Sequence, residues 1–280
     1  MISIQTNDLK INCRPFLKWV GGKSQLLPEL VKRLPPVFNN YFEPFIGGGA
    51  LLFSLQPKNA HICDLNLELI NCYEVIKNQV DELIVELKQH QYEKQYYYQM
   101  RNVDRNPSFE QWSAVKKASR MIFLNKSCFN GLYRVNSQGQ FNVPFGRYTN
   151  PKILDPENLK ACSKVLAGTS IKRSSFLDIE SDLAQGDFVY FDPPYVPLSD
   201  TSSFTSYNAH GFGVQMQHEL FAMCQRLDQK GIMFMLSNSS ASFVLDLYRE
   251  FRIELVPAAR TINSKSNLRG KINEVIIRNY

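Results

Sequence analysis

Apolar positions in this chain follow two patterns, short unbroken runs and longer stretches in which they recur every three or four residues. The segment NNYFEPFIGGGALLFSL (39–55) passes from an aromatic-rich strand through three glycines into the start of an apolar helix. AHICDLN (60–66) adds a short strand closed by Asp64. From Glu68 to about Lys126 helix formers dominate and strand signals are lacking. There Leu69, Ile70, Tyr73, Ile76, Leu83, Ile84 and Leu87 keep helical spacing. In LYRVNSQGQFNVPFGRY (132–148) two short alternating runs flank Asn136, Ser137, Gln138 and Gly139. A glycine able to take positive φ there predicts a β-hairpin with a four-residue loop. Later, QGDFVYFDPPY (185–195) and GIMFMLSNSS (231–240) read as buried strands, with a helix from Val214 to Leu227 before the second. Two β-rich runs, FRIELVPAAR (251–260) and KINEVIIRNY (271–280), close the chain. This order predicts an α/β sheet domain assembled from 1–65 and 170–280, with a mainly helical domain inserted at 66–169.

Composition adds little until charge is located. Over 280 residues, 32 Lys+Arg against 26 Asp+Glu give a net +6, with 44% hydrophobic and 21% charged residues. That make-up excludes disorder and collagen-like repeats. From Gln111 to Leu154 there is no acid, while Lys116, Lys117, Arg120, Lys126, Arg134, Arg147 and Lys152 all fall inside. Without those seven, 25 bases face 26 acids, so this stretch carries the whole positive balance. Arg260, Lys265, Arg269 and Lys271 form a second acid-free run. Phe129, Tyr133, Phe141, Phe145 and Tyr148 are interleaved with the first. Cations among planar rings suit a polyanion whose bases can be stacked upon, although DNA and RNA are not separated by this feature and a plain basic face would look similar. The N-terminus lacks a secretory pattern and no window reaches the roughly 18 apolar residues of a membrane span, so a cytoplasmic protein is expected. The six cysteines form no C-x-x-C pair and are expected to be reduced; neither they nor the four histidines cluster at zinc spacing, so no metal is expected.

The glycines Gly47, Gly48 and Gly49 follow a strand and open a helix, an arrangement that brings unpaired N–H groups and an approachable backbone to the carboxyl edge of a sheet. The dinucleotide pattern G-x-G-x-x-G fails at Leu52, and no lysine-bearing phosphate loop occurs. Phe45 to Gly49, F-x-G-x-G, suits a nucleoside cofactor without a pyrophosphate. Asp64, at the end of the next strand, stands where a carboxylate would meet ribose hydroxyls; equally, it could cap the helix beginning near Asn66.

Phe188 to Phe191 ends in Asp192, Pro193, Pro194 and Tyr195. Proline cannot continue a sheet ladder, so the strand stops there and displays the carboxylate, the Pro193 carbonyl and the Tyr195 ring at the same edge as the glycines. An exocyclic amine on a base is a poor nucleophile because its lone pair is delocalised into the ring. Two acceptors against its N–H bonds, Asp192 and the Pro193 carbonyl, would draw the nitrogen toward tetrahedral geometry, with Tyr195 stacked on the base. A methyl sulfonium on the far side would permit in-line displacement without metal or covalent intermediate. In a duplex the nucleotide must first be extruded, at roughly a few kcal/mol. A zinc deaminase would need H-x-E and P-C-x-x-C, which do not occur. Methylation of RNA or of a smaller amine, and a catalytically idle DNA-binding protein, are the competing readings.

Taken together, FLKWVGGK (16–23), YFEPFIGGGALLF (41–53), CDLN (63–66), FNGLYRVN (129–136) with FNVPFGRY (141–148), and FVYFDPPY (188–195) followed by SFTSY (203–207) resemble the Dam-type, D12-class DNA N6-adenine methyltransferases that act on GATC. The likeness runs along essentially the whole chain, in the motif order of the alpha group. It implies a Rossmann-like methyltransferase sheet using S-adenosylmethionine, and an inserted DNA-recognition domain bearing the hairpin. It also implies double-stranded DNA as partner and, as for modification enzymes, a possible cognate endonuclease that cuts the same site without binding this chain. By resemblance Trp19, Lys23, Asp64 and Asp192 contact the cofactor, joining Phe45, Gly47 and Gly49 of the glycine turn. On the same basis Lys18 lies near DNA, Arg134 reads the first guanine, Leu132 and Pro144 meet later bases, and Asn130 sits near the centre of the site. Related Dam enzymes can carry Tyr where Phe129 stands, which removes a hydroxyl from a phosphate contact or changes how the gap left by the flipped base is filled.

Overall fold

The computed structural model describes residues 10–197, 212–259 and 271–280. The SFTSY segment and Arg260, Lys265 and Arg269 of the second basic run lie outside the described residues.

Tyr41–Glu43, three consecutive buried residues, form β1, and Ala60–Asp64 form β2 beside it, parallel and in register Tyr41 to Ala60. The four residues of Phe188–Phe191 are buried on both faces as β4, which pairs parallel with β1 and with β5 (Met233–Ser239). A fully apolar strand is what a parallel sheet covered by helices on both sides demands. Ser170–Arg173 adds β3 outside β2, while Arg252–Ala259 (β6) and Lys271–Arg278 (β7) form an antiparallel pair in which β7 lies against β5. Among the described residues the seven strands run β3-β2-β1-β4-β5-β7-β6 in one sheet. Pro257 falls in β6 at the edge of the sheet, where strands accommodate proline. The order reverses between β1 and β4, and ligands of open α/β sheets bind beyond the strand ends at such a point.

The helices are α1 (Leu27–Val31), α2 (Ala50–Leu55), α3 (Leu67–Asn78), α4 (Val80–Leu87), α5 (Lys94–Asn102), α6 (Ala114–Ser127), α7 (Pro156–Leu166), α8 (Val214–Gln229) and α9 (Ser242–Leu247). On one side of the sheet, Leu69, Tyr73 and Ile76 of α3, Leu83 and Leu87 of α4, Met121 and Ile122 of α6, and Leu159 and Leu166 of α7 share one core with Tyr41, Ile62, Phe188 and Tyr190. On the other side, Leu220, Met223 and Leu227 of α8 cover Phe42, Val189, Phe191 and Phe234. A separate cluster of Tyr97, Phe123, Leu124, Cys128, Phe141 and Val143 sits between α5, α6 and the segment that follows. Beside it lies the half-buried His90, whose ring stacks on Phe123 at 4.4 Å and bonds to the Tyr96 hydroxyl and Ser119 Oγ at 2.9 Å each. No helix among the described residues is long and apolar enough to cross a membrane.

After α6 the chain reverses over Asn136–Gly139, with Gly139 at φ +77°. Asn136 Oδ1 accepts from the N–H groups of Gln138 and Gln140, and one antiparallel bridge joins Val135 to Phe141. The two flanking runs meet in that single bridge and in the bonds Asn136 N–H to Gln140 O (2.9 Å) and Asn142 N–H to Arg134 O (3.0 Å).

Candidate active site

The first half of the site is the turn after β1. Gly47 and Gly49 both take left-handed backbone, at φ +45° and +68°. A Cβ at Gly47 would come within 2.8 Å of Trp19 Cδ1, and one at Gly49 within 2.6 Å of the Tyr73 hydroxyl. Glycine is therefore required twice over, by backbone conformation and by close packing. Tyr73 donates to the Gly47 carbonyl (3.0 Å), and Asp64, at the end of β2, accepts the Gly47 N–H on Oδ2 (3.3 Å) and the Asn66 N–H on Oδ1 (2.9 Å). The cap of α3 is Asn66, which accepts from Leu69 N–H; Asp64 instead braces the glycine turn. Burial pushes the Asp64 carboxyl up, and the backbone N–H groups of Asn66 and Gly47 partly offset this. Phe45 packs against Phe176 (5.4 Å, stacked) and edge-on to Phe212 (5.5 Å).

The second half is the end of β4. Asp192 Oδ1 receives the Lys23 ammonium at 2.7 Å and the Ser237 hydroxyl at 3.0 Å. Lys23, itself buried, also donates to the Gly21 carbonyl (2.6 Å) and lies 4.4 Å from the centre of the Tyr195 ring. Tyr195 donates to Glu274 Oε2 at 2.8 Å. The Pro194 carbonyl accepts from Gln217 Nε2 (3.2 Å), and Val196 N–H donates to Asn238 Oδ1 (3.1 Å), so the turn after the prolines is pinned from α8 and β5. Burial raises the Asp192 carboxyl above the usual carboxylate range, against the pull of Lys23 and Ser237. Glu43, at the end of β1, is buried and accepts from the Tyr41 hydroxyl at 2.6 Å; burial, with Asp192 adding, moves it up to about 8.

The two halves are joined by the segment 16–23. Trp19 rests on Gly47 while Lys23, one tight turn later (Gly22 N–H to Trp19 O, 3.0 Å), reaches Asp192. The structure thus brings Trp19, Lys23, Gly47, Gly49, Asp64 and the 192–195 motif to one edge of the sheet.

Alongside lies the segment 129–148. Asn125, fully buried, binds the Lys18 N–H (2.9 Å), the Lys18 carbonyl (2.8 Å) and the Gly131 carbonyl (3.0 Å). It ties this segment to the segment 16–23. Lys18 is exposed, its ammonium 5.2 Å from the Tyr148 ring. Phe129, Asn130, Arg134 and Pro144 are exposed and Leu132 is half-buried. Phe129 N–H bonds to the Pro144 carbonyl (2.9 Å), so these two share one surface. Asn142 holds Arg134 by Nε to Oδ1 (2.7 Å) and Nη2 to its carbonyl (3.2 Å).

A family model described as D12 class N6 adenine-specific DNA methyltransferase matches residues 19–262. The chain is 50% identical over 275 residues to a type II methyltransferase of Lactococcus lactis subsp. cremoris, covering 97% of each chain. It is 44% identical to a type II methyltransferase of Methanocaldococcus jannaschii (95% of this chain, 99% of the other) and 30% identical to a DNA adenine methylase of Escherichia coli strain K12 (94% of each). The chain belongs to the D12 class of N6 adenine-specific DNA methyltransferases.

In this D12 methyltransferase several side chains that hold the 192–195 motif carried no sequence signal of their own. Ser237 and Asn238 end a run read only as a buried strand; the parallel pairing of β4 with β5 places them beside Asp192. Gln217 and Glu274, which bond the Pro194 carbonyl and the Tyr195 hydroxyl, were likewise unmarked. The glycine packing is testable. Gly49→Ala would have to displace the Tyr73 hydroxyl from a strained backbone, so a loss of about 1–3 kcal/mol in unfolding free energy is expected in urea titration.

Proposed function

We propose that the enzyme transfers the methyl group of S-adenosylmethionine to N6 of the adenine in GATC, in double-stranded DNA, as the modification enzyme of a restriction-modification system. The single observation that carries this reading is the convergence, through Trp19 and Lys23, of the glycine turn and Asp192 at the switch point of the sheet.

The residues fit the cofactor. The missing Cβ at Gly47 lets Trp19 lie against the glycine turn, Asp64 sits at the end of β2 for ribose hydroxyls, and Asp192 offers negative charge to a sulfonium. S-adenosylmethionine, when bound, supplies an electrophilic methyl on a positively charged sulfur. The Asp192 carboxylate and the Pro193 carbonyl accept the two N–H bonds of an extruded adenine and localise the N6 lone pair, and Tyr195 orients the ring by stacking. Lys23 and Ser237 fix the rotamer of Asp192 from one oxygen. The carboxylate would face the positive charge that N6 gains as the N–CH3 bond forms and the CH3–S bond breaks to leave a neutral thioether, a charge relieved when one N6 proton departs.

Residues 66–169 supply target recognition, with α3, α4, α6 and α7 leaning on the sheet and 129–148 facing the duplex. Lys18, Asn130, Leu132, Arg134 and Pro144 form that face, and a cognate endonuclease would act on the same site without direct contact. The type II relatives support the modification role, and the Dam-like motifs support GATC. Tritiated-methyl transfer to GATC duplexes and not to GTTC controls is the expected result; equal labelling of both would reject the sequence claim. Arg134→Ala is expected to relax discrimination at one guanine by about 1–3 kcal/mol, read by competition with single-base variants.

A further inference from the structure

Tyr133 stands between the two sides of the site. Its ring stacks on Trp19 (centroids 5.2 Å, planes 22° apart), and Trp19 in turn lies on Gly47. Its hydroxyl donates to Glu68 Oε2 (3.1 Å) in the first turn of α3, just past Asp64. Glu68 Oε1 accepts from Arg120 Nη1 (3.3 Å), and Arg120 Nη2 pairs with Asp104 Oδ2 (2.7 Å). That same Asp104 oxygen takes the Phe141 N–H (2.7 Å), and Phe141 meets the Tyr133 ring edge-on at 5.9 Å. Both arms of the turn carrying Arg134 are therefore anchored. Tyr133 precedes Arg134 on one arm, and Phe141 precedes Asn142, which holds Arg134, on the other. The circuit is closed and packed, so the Tyr133 ring cannot shift without moving Trp19 or Phe141.

We infer that Tyr133 is a positioning residue that couples target reading to the cofactor side. A duplex that seats Arg134 correctly sets Tyr133, and through it the Trp19 ring on the glycine turn; a duplex with a wrong base leaves that stack displaced. The inference rests on the roles given above to Arg134 and Trp19. Coupling between sites is reciprocal, so the correct duplex must raise the affinity of the cofactor side for its ligand.

The test uses full-length enzyme and S-adenosylhomocysteine as the probe. Its dissociation constant is measured by calorimetry with the enzyme saturated by one of two duplexes. One carries the site found by mapping methylated DNA, the other the same site with one guanine changed. Wild type is expected to bind the probe about fivefold or more tightly on the correct duplex. In Tyr133→Leu and Tyr133→Met, which remove the aromatic face with different filling, the ratio falls below about twofold while affinity without DNA stays within about threefold of wild type. Tyr133→Phe keeps the ratio, because the stack survives loss of the hydroxyl. A ratio that persists in the Leu and Met variants, or is absent from wild type, overturns the inference. Since the duplex is chosen from the mapped site, a target other than GATC would refute the specificity reading and still leave this ratio to be read.

Discussion

Asp192→Ala is expected to lower methyl transfer by about 10²–10³-fold or more while duplex binding stays within a few-fold of wild type. The carboxylate is the acceptor at the end of β4, and the two described side chains bound to it cannot replace it: Ser237 is a neutral donor and Lys23 a cation, both directed at the Asp192 oxygen itself. The residues proposed to face DNA, Lys18 apart, lie on the segment 129–148, anchored through Asn125 and Asn142 and not through Asp192. Removing the carboxylate also leaves a buried ammonium unpaired, which destabilises the fold. Asp192→Asn, nearly isosteric, separates the two effects: it retains an oxygen for Lys23 and Ser237 and is expected to lose activity by a similar factor with a smaller change in unfolding midpoint. Near-wild-type transfer by both variants, measured as tritium incorporation, would remove Asp192 from the chemistry.

Arg120→Ala is expected to cost about 3–5 kcal/mol of stability, the largest effect of any single change away from the 192–195 motif. Arg120 is fully buried and uses its whole guanidinium: Nε to the Met100 carbonyl (2.8 Å), Nη2 to the Arg101 carbonyl (2.8 Å) and Asp104 (2.7 Å), Nη1 to Glu68 (3.3 Å). Its loss leaves Glu68 without its arginine, Asp104 with only the longer Arg105 contact (3.3 Å), and the Met100 carbonyl without this donor. Burial already raises the Glu68 carboxyl, and Arg120 is what pulls it back. Lysine, with one point charge, cannot serve four acceptors spread around a planar fork, so Arg120→Lys should recover only part of the loss. Urea unfolding monitored by tryptophan fluorescence gives the number; a change below about 1 kcal/mol would mean that the network is slack.

The same buried arginine shows where reading a sequence stops. Arg120 was counted with six other bases as part of a polyanion-binding stretch, and it lies in the interior. A charge run says nothing about which members face solvent, because that depends on acids far along the chain, here Glu68 and Asp104. By contrast, β1, β2, β4 and β5, with α2 and α8, were legible, since unbroken apolar runs, glycines and prolines are local signals. β3 went unseen because Ser170–Arg173 is short, mostly polar and half exposed at the sheet edge, with no alternation to betray it. The turn FLKWVGGK offered only a basic turn to reasoning from residues, and its resemblance to the family was needed to mark Trp19 and Lys23. Their contacts, with Gly47 and Asp192, span long stretches of chain that only the folded sheet brings together. Asp64 was open between ribose binding and helix capping, and the cap proved to be Asn66.

The account depends on one geometric statement about an extruded base, and a structure of the enzyme with a GATC duplex and S-adenosylhomocysteine tests it most directly. The adenine is expected out of the helix, with N6 within hydrogen-bond reach of Asp192 Oδ and the Pro193 carbonyl and its ring against Tyr195. An adenine still paired in the duplex, or one whose N6 points away from residue 192, would contradict it.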